Sequence, residues 1–486
     1  MLKAILRDSL IYGLASVLSK GVGFFLLPLY TRVLSTADYG AFDLLITLSV
    51  LVNLSVALEV SQGLARYWGD TEVSFQRRKL ASTTFWFTLG MYSLFWVASM
   101  LASSRLNLLL LGNAAYLDAF RLGLGFITIN GIYYLLLNQF RWELRSKAYA
   151  MVSFCYVLMT LFFAIILCLW LGKGLEGVML AQLLAVLFST LLCLWLLRTT
   201  FGFFFDLKTL VTMLNFSVPL VPASLAIFVS LYINRVALLH FGSLEDVGLF
   251  GIGSRIAGLS ALLILGIQAA LTPLVYQHYR DPETPHQIAK LFGWFTAVAL
   301  AGCLFLAVFS RQLLTIFAPA EYLNGASLVA LLAPAFLLSQ MYIFAPGIAI
   351  QKKTIWQLWV ALLSAVVSVI GNWLLVPLWG GFGASVATLL TALVFFFAWL
   401  SVSQRLYRIP YNWRASLLGV MAFIVCALAG AQLDRLDLYL PLTLMLKSLL
   451  LVALSVVVVA SGLLPLADIR ALLIQLRQRA GRRSNV

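Results

Sequence analysis

The sequence predicts an all-α integral membrane protein with about fourteen transmembrane helices. Of its 486 residues, 62% are hydrophobic and only 10% are charged, which is more apolar surface than a water-soluble fold of this length can bury. Apolar runs of about 18 or more residues recur along the chain, the length that a helix needs to cross a bilayer. Because these runs lack the alternating pattern of barrel strands, helices are expected.

Fourteen segments are predicted to cross the membrane, and the loops between them are too short to form a soluble catalytic domain. The first segment has a basic flank like a signal peptide, but it is too long and lacks an obvious cleavage site. The predicted spans lie near residues 10–33, 38–62, 81–103, 116–138, 148–171, 175–197, 215–240, 247–274, 290–310, 326–350, 354–376, 382–404, 415–433 and 440–464.

The net charge of +15 orients the chain. With a cytoplasmic N-terminus, most Lys and Arg residues fall on the cytoplasmic side, for example Arg77, Arg78 and Lys79 in the loop between spans 2 and 3. This asymmetry follows the positive-inside rule, so no nucleic-acid partner is expected and both termini are predicted to be cytoplasmic. All five cysteines lie inside predicted spans, without the spacing of a metal site or a disulfide framework.

The chain contains an internal duplication. The segment S-T-A-D-Y-G-A-F at residues 35–42 returns 208 residues later as S-L-E-D-V-G-L-F at residues 243–250. The same offset, without a gap, relates the tripeptide that begins at Trp86 to the identical tripeptide at Trp294, and Gly172 to Gly380. A constant offset across a turn, a span and a loop indicates two related halves.

The duplication predicts two six-helix lobes followed by an additional helix pair. Since six spans is an even number, the lobes share one orientation and are related by a parallel pseudo-two-fold axis along the membrane normal. We expect the substrate near mid-membrane between them. The predicted parts are an N-lobe at 1–198, a cytoplasmic linker at 199–214, a C-lobe at 215–404, spans 13 and 14 at 405–464, and a basic amphipathic cytoplasmic tail at 465–486.

Charged side chains inside the spans are the candidate functional residues. An ionised group facing lipid costs at least about 2.5–3.5 kcal/mol, so Lys20, Asp43, Glu59, Arg235 and Arg255 are expected to point inward. One interpretation is that they form structural pairs, such as Lys20 with Glu59. The other is a cationic cavity, because basic groups outnumber deep carboxylates in spans 1, 2, 7 and 8.

In the cavity interpretation the basic groups bind a phosphate, since a guanidinium donates paired hydrogen bonds to phosphate oxygens. The candidate substrate-binding residues are Lys20, Arg66, Arg235, Arg255 and Asn234, and the candidate ion-coupling residues are Asp43 and Glu59. No metal site is expected, because the three histidines form no cluster. Lys447, in span 14, is expected to extend its ammonium to the outer membrane surface.

The sequence resembles a known family. The segments SKGVGFFLLPLYTRVLSTADYGAFDLL (residues 19–45) and NFSVPLVPASLAIFVSLYINRVALLHFGSLEDVGLFGIGSRIA (residues 215–257), with the 6 + 6 + 2 arrangement, are similar to the polysaccharide-exporter branch of the multidrug/oligosaccharidyl-lipid/polysaccharide (MOP) superfamily. That branch includes Wzx-type O-antigen flippases and is related to the lipid II flippase MurJ and to MATE transporters.

The resemblance implies a bacterial inner-membrane flippase with alternating access, supporting O-antigen or exopolysaccharide biosynthesis. Its cargo would be an undecaprenyl-diphosphate-linked oligosaccharide. The protein would lie in the lipid bilayer, and its partners would include a polysaccharide polymerase and other assembly proteins. It implies basic residues in spans 1, 7 and 8, matched by Lys20, Arg235 and Arg255, and no cofactor besides coupled Na⁺ or H⁺. The alternatives are a lipid II flippase and a MATE-like multidrug or cation antiporter. An enzyme is not expected, because catalytic carboxylates, a large outer loop and a nucleotide-binding P-loop are all missing from the sequence.

Overall fold

The computed structural model describes residues 26–69, 73–264, 267–268, 271, 275, 279–351, 353, 355–436 and 439–464. Every regular element within these residues is helical. In chain order the α-helices are α1 (Leu27–Val33), α2 (Thr36–Ser55), α3 (Val60–Trp68), α4 (Ser74–Leu101), α5 (Ser103–Leu111), α6 (Leu117–Trp142), α7 (Ser146–Ala164), α8 (Gly174–Leu196), α9 (Leu207–Ser217), α10 (Val221–Phe241), α11 (Leu244–Ala257), α12 (Thr284–Phe317), α13 (Ala326–Leu338), α14 (Gly347–Ile350), α15 (Ile355–Leu406), α16 (Trp413–Leu433) and α17 (Leu440–Ala460).

Twelve helical segments in the described part of the chain are long and apolar enough to cross a membrane. This confirms the predicted all-α, multi-pass membrane fold. The predicted first span lies mostly outside the described residues, and the eleventh and twelfth predicted spans share the single range α15. The number fourteen therefore stays a prediction.

Helix α15 contains a sharp kink, so it is two helices rather than one. Gly380 interrupts the helical backbone with φ +52° and ψ −130°, a conformation that a residue without Cβ adopts without strain. A Cβ on Gly371 would lie 3.3 Å from the Cβ of Ala387, so the two arms of α15 run side by side. The chain therefore reverses at Gly380, as the two predicted spans require.

The chain packs as two compact units. Unit 1 comprises residues 1–252, 316–323 and 361–391, and unit 2 comprises residues 253–315, 324–360 and 392–486. These units group residues by packing and do not follow the predicted boundaries at 198, 214 and 404. The lobe boundaries stay a prediction, and each unit is described by itself below.

In unit 1, helix α6 packs against α2, α4 and α8. Small residues bring these helices close, as is typical of membrane helix pairs. A Cβ on Gly131 would lie 1.9 Å from the Tyr92 ring, and one on Gly123 would lie 3.1 Å from Leu45. The Tyr92 hydroxyl donates to Asn53 Oδ1 at 3.0 Å. This packing fixes the position of α2. The candidate site residue Asp43 lies on α2, and Glu59 lies shortly after its end.

The duplicated S-x-x-D turns begin α2 and α11 in the same way. The Ser35 hydroxyl accepts the backbone N–H of Asp38 at 3.1 Å, and the Asp38 carboxylate accepts the Ser35 backbone N–H at 3.3 Å. In the second copy, Ser243 accepts from Asp246 at 3.2 Å, and Asp246 accepts from Ser243 at 3.0 Å. Both are capping boxes, which satisfy N–H groups that helix N-termini leave unpaired.

The glycines of the duplicated motif form a reciprocal helix crossing. A Cβ on Gly40 would lie 1.9 Å from the carbonyl oxygen of Leu244, and one on Gly248 would lie 2.0 Å from the carbonyl oxygen of Thr36. Each glycine thus faces the backbone of the opposite copy. The motif therefore encodes both a helix start and the closest contact between the two helices.

In unit 2, Lys447 corrects a prediction. Its side chain is completely buried, and Nζ donates to Val308 O at 2.7 Å, Gln312 Oε1 at 3.0 Å and Asp434 Oδ1 at 2.7 Å. The prediction that this ammonium extends to the membrane surface was wrong, because three acceptors satisfy it in place. The lysine therefore links α17 to α12 by hydrogen bonds.

The predicted linker is short and ordered. Residues 207–217 already form α9, and Asp206 caps that helix by accepting the N–H of Thr209 at 2.9 Å. Hydrogen bonds from the Thr209 hydroxyl and backbone, together with Lys79 at 3.1 Å, lower the pKa of Asp206 to about 2. The predicted tail at 465–486 lies outside the described residues.

The reciprocal crossing predicts a position-specific effect of alanine. Gly40→Ala should destabilise the protein by about 1–3 kcal/mol, because the added methyl group overlaps a backbone carbonyl and forces the helices apart. Thermal unfolding of the purified protein in detergent measures this. Gly90→Ala in α4 is the matched control, since a Cβ there meets no atom within 4 Å. Equal stability of the two variants would contradict the crossing.

Candidate functional site

The candidate site is a buried polar network in unit 1. Its members come from α2, α10 and the second arm of α15, which are membrane-spanning by length and composition. Asp43 lies about two turns below the capped start of α2, Arg235 and Asn234 lie near the end of α10, and Thr388 lies on α15. All four side chains are buried. Polar groups inside membrane helices need hydrogen-bond or charge partners.

Arg235 is the centre of the network. Its Nε lies 3.2 Å from Asp43 Oδ2, and the two side chains are only 9% and 10% exposed. Its Nη1 donates to Asn234 Oδ1 at 2.9 Å. The guanidinium carbon also lies 5.4 Å from the centre of the Tyr232 ring and 5.0 Å from that of Phe250, close enough for cation–π attraction.

The network continues through Asn234 to α15. The amide nitrogen of Asn234 donates to Thr388 Oγ1 at 3.2 Å, and the Thr388 hydroxyl donates to Ala384 O at 2.7 Å. Opposite the acid, a Cβ on Gly251 would lie 3.1 Å from Asp43 Cγ. The absence of a side chain at Gly251 therefore makes room for the Asp43 carboxylate between α2 and α11.

The structure pairs two residues for which separate roles were predicted. Arg235 was predicted as a cavity cation and Asp43 as an ion-coupling residue, but they form one buried pair. The contact of Arg235 with Asp43 is of the kind that the structural-pair interpretation describes. The pair named in that interpretation, Lys20 with Glu59, stays a prediction, because Lys20 lies outside the described residues. A phosphate would have to compete with Asp43 for the guanidinium.

Glu59 lies at a break between α2 and α3. Leu58 and Glu59 have φ values of +50° and +52°, which are uncommon for residues with a side chain. The Glu59 carboxylate is 8% exposed and accepts the Ser224 hydroxyl at 2.9 Å. Within the described part of the chain it forms no ion pair. A buried acid at an interrupted helix is a typical ion-coupling arrangement in transporters.

Two other predicted site residues lie at the ends of helices. Arg66 is exposed in the last turn of α3, and Arg255 is half-buried in the last turn of α11, within unit 2. Both have further contacts. Lys20 lies outside the described residues. Among the residues that the structure does describe, no group of His, Cys, Asp and Glu side chains is arranged to hold a metal ion.

Sequence reasoning missed Thr388, Ser224 and Gly251. Thr388 and Ser224 are single hydroxyls in apolar spans, where such residues commonly donate to the preceding helical turn, so they gave no distinguishing signal. Gly251 did carry a signal. It occupies the position equivalent to Asp43 at the 208-residue offset, and the loss of a side chain opposite a buried acid is informative.

A double-mutant cycle tests the pair. Arg235→Ala should destabilise the protein by about 3–5 kcal/mol, because it leaves the Asp43 carboxylate buried without a partner. The double variant Asp43→Ala/Arg235→Ala should be more stable than the sum of the two single effects predicts. Thermal unfolding of all four forms in detergent measures the coupling. Strictly additive effects would mean that the two groups do not interact.

Comparisons with known proteins agree with this architecture. The model of the polysaccharide biosynthesis protein family matches residues 5–279. A protein of the Lsg locus of Haemophilus influenzae is 24% identical over 299 residues, which are 60% of this chain and 70% of that protein.

Two solved structures show the fold. The lipid II flippase MurJ in an inward closed conformation has a TM-score of 0.68 at 12% identity. The match covers 92% of this chain and 98% of the MurJ chain. An inward-facing MATE multidrug transporter has a TM-score of 0.65 at 16% identity and covers 80% of this chain and 95% of its own. The family match extends over more than half of the sequence, and the fold is similar to the folds of both solved structures. The chain belongs to the polysaccharide biosynthesis protein family.

Proposed function

We propose that this protein is a flippase that moves an undecaprenyl-diphosphate-linked oligosaccharide from the cytoplasmic to the periplasmic leaflet of the bacterial inner membrane. The product would enter O-antigen or exopolysaccharide biosynthesis, where a polysaccharide polymerase would use it. The family match supports this class of cargo. The observation in the molecule that supports transport is the buried Arg235–Asp43 pair with its Asn234 and Thr388 extension.

A buried pair of this kind suits a reversible step. Burying two charges costs several kcal/mol per ion, and the pair recovers that cost only while its geometry is good. A diphosphate offers the guanidinium the same acceptor chemistry as Asp43, with more oxygens and more charge. Cargo binding would therefore exchange one partner of Arg235 for another, and cargo release would restore the pair.

In this proposal Arg235 binds the diphosphate when it separates from Asp43, and Asn234 orients the guanidinium through its 2.9 Å hydrogen bond. Lys20, Arg255 and Arg66 would add positive charge along the path of the anion. The sugars would travel in water and the prenyl chain in lipid. Alternating access then needs no nucleotide hydrolysis.

The membrane potential would assist this export. An inside-negative potential favours outward movement of an anion by about 2.3 kcal/mol per charge per 100 mV. A diphosphate would gain roughly 4–5 kcal/mol at that potential. This is comparable with the cost of breaking a buried ion pair, about 3–5 kcal/mol.

Coupling to Na⁺ or H⁺ would involve Asp43 or Glu59. Protonation of Asp43 would remove its attraction for Arg235 and release the guanidinium to the diphosphate. Glu59 is a second candidate, because it is buried with a hydroxyl partner. A proton or Na⁺ arriving there would neutralise an acid that pairs with no cation in the described part of the chain.

A second candidate is flipping of lipid II, the cargo named for the structurally similar MurJ. Its specific support is that the fold match covers 92% of this chain. Lipid II also carries a prenyl diphosphate, so the buried pair would serve both cargoes. The sugar attached to the diphosphate distinguishes the two proposals.

Reconstitution tests the function directly. In proteoliposomes, a labelled undecaprenyl-diphosphate oligosaccharide should cross the bilayer at a rate that Arg235→Ala and Arg255→Ala each lower at least tenfold. Arg105→Ala, an exposed arginine in α5, is the matched control and should leave the rate unchanged. Size-exclusion profiles identify any variant that fails to fold. Normal movement by folded Arg235→Ala protein would refute the role of this residue, and preference for lipid II would select the second candidate.

Ion coupling is tested by carboxylate-to-amide changes. Asp43→Asn and Glu59→Gln preserve side-chain size while removing the negative charge and the carboxylate that binds a proton. The variant that alters the coupling residue should transport at a rate independent of an imposed pH or Na⁺ gradient. The rate is compared with and without the gradient at constant membrane potential. Unchanged gradient dependence in both variants would eliminate both residues as coupling sites.

A further inference from the structure

A cluster of exposed phenylalanine rings lies in the segment that connects α8 to α9 in unit 1. This segment contains the sequence F-G-F-F-F at residues 201–205, called the aromatic loop below. Phe203 is 93% exposed and Phe205 is 56% exposed. Because apolar rings in contact with water cost free energy, a cluster of them marks a surface that another apolar phase covers.

The backbone of the aromatic loop is bound to α4. The Gly202 N–H donates to Ser82 Oγ at 2.8 Å, and the Gly202 carbonyl oxygen accepts the Trp86 indole N–H at 2.9 Å. The Phe201 carbonyl oxygen accepts a hydrogen bond from Arg78 Nη2 at 3.2 Å. Irregular backbone is tolerated close to lipid only where such partners satisfy its polar groups. The loop is therefore held in place while its rings point outward.

Ring contacts place the loop beside the membrane-spanning part of α4. Phe203 stacks on Trp86 with ring centres 5.6 Å apart, and Phe201 packs on Phe85 with ring centres 4.9 Å apart. Trp86 lies seven residues beyond Lys79, a distance of about 10 Å along a helix. The stack thus lies deeper in the span than the basic residues at the start of α4.

Exposed apolar side chains extend from the span to the loop. Helix α4 is long and apolar enough to cross the membrane, and Leu94, Val97 and Leu101 are exposed along it. Nearer the start of the helix, Phe75 is also exposed and packs against Phe204, with ring centres 5.7 Å apart. The loop therefore continues a surface that faces lipid.

Exposed cations flank the loop. Arg198 precedes it and Lys208 follows it, and both are exposed. Asp206, directly after the loop, has its charge compensated by Lys79 at 3.1 Å. Aromatic rings beside exposed Lys and Arg residues are typical of segments that lie at the boundary between the head groups and the acyl chains of anionic membranes.

The internal duplication provides a comparison within the same chain. At the 208-residue offset, Tyr411 corresponds to Phe203, but Tyr411 is only 8% exposed. Its ring packs on Phe292 with ring centres 4.8 Å apart, and its hydroxyl donates to Phe344 O at 2.7 Å. The described chain covers this ring in the second half and leaves Phe203 uncovered in the first, so the cover for Phe203 has to come from elsewhere.

We propose that the aromatic loop inserts the side chains of Phe203 and Phe205 into lipid, at the boundary between head groups and acyl chains of the leaflet next to Arg198 and Lys208. The positive-inside rule predicts that this leaflet is the cytoplasmic one. The segment predicted as a cytoplasmic linker is then bound to the membrane, because α4 holds its backbone and lipid covers its rings. Insertion by about 5–10 Å is typical of such segments.

Fluorescence quenching tests the insertion in nanodiscs of phosphatidylethanolamine and phosphatidylglycerol. No transport is measured, so the result is independent of the flippase proposal. A polarity-sensitive fluorophore is attached at Phe203→Cys, and protein without this change corrects for labelling of the native cysteines. Lipids with a nitroxide near the top of the acyl chain should quench the fluorophore strongly.

Two further label positions calibrate the measurement. Glu283→Cys, in the exposed loop before α12, is the reference for water, and Leu94→Cys on α4 is the reference for lipid. Aqueous iodide should quench the label at Phe203→Cys at least about tenfold less than the label at Glu283→Cys, because an ion enters the apolar part of a bilayer only at a high free-energy cost.

The hydrogen bonds to α4 are tested with the same label. Ser82→Ala combined with Trp86→Phe removes both side-chain partners of Gly202. Iodide quenching at Phe203→Cys should then increase severalfold, because the unsatisfied backbone groups favour water. Ser99→Ala is the matched control, since the Ser99 hydroxyl donates to Trp96 O within α4, and it should leave the quenching unchanged.

Two results would overturn the proposal. Iodide quenching at Phe203→Cys equal to that at Glu283→Cys would place the loop in water. Protection from both iodide and the nitroxide lipids would mean that protein covers the rings. Phe205→Cys is the second label position if Phe203→Cys fails to fold, and the same two criteria apply to it.

Discussion

The close crossing of α2 and α11 at Gly40 and Gly248 is the constraint on which the candidate site depends. It brings two backbones to a distance at which neither position tolerates a Cβ. Asp43 lies one turn further along α2, where the facing position, Gly251, is also a glycine. The carboxylate is thereby enclosed between helices and directed towards Arg235 of α10, 192 residues away in sequence. A wider crossing would admit water or lipid, and the charge pair would lose its burial.

Because the pair is buried, a change in either partner has a large energetic effect. An exposed ion pair contributes about 0–1 kcal/mol, so breaking it would have little effect on any other equilibrium. A buried pair is different, because each charge separately is costly and the two together are tolerated. Events that change one partner, such as protonation of Asp43 or arrival of a competing anion, then shift the free energy by an amount that matters for a conformational equilibrium. The Asn234 and Thr388 hydrogen bonds keep Arg235 in position through such an exchange.

Much of the fold could be predicted from local sequence. The capping boxes at Ser35 and Ser243 follow from the S-x-x-D spacing, and the reversal at Gly380 follows from a glycine between two apolar runs. The site could not be predicted in the same way. The acid that pairs with Arg235 is decided by how three helices, distant in sequence, are rotated about their axes and how deeply each lies in the membrane. Composition contains no information on the rotation or on the depth. Lys447 illustrates the same difficulty, since its acceptors Val308 and Asp434 come together only when α12, α16 and α17 pack.

The internal duplication explains the position of the polar network, which could not be predicted from composition. Positions that set the backbone are retained in both copies: Gly40 and Gly248 at the crossing, and Gly172 and Gly380, both with positive φ. Positions that carry chemistry have diverged, so that Asp43 corresponds to Gly251. A symmetric pair of acids facing each other would repel, whereas an acid facing a glycine has room to pair with a third helix. Different side chains at duplicated positions therefore create the polar network in unit 1, where one copy provides the acid and the other copy provides the space for it.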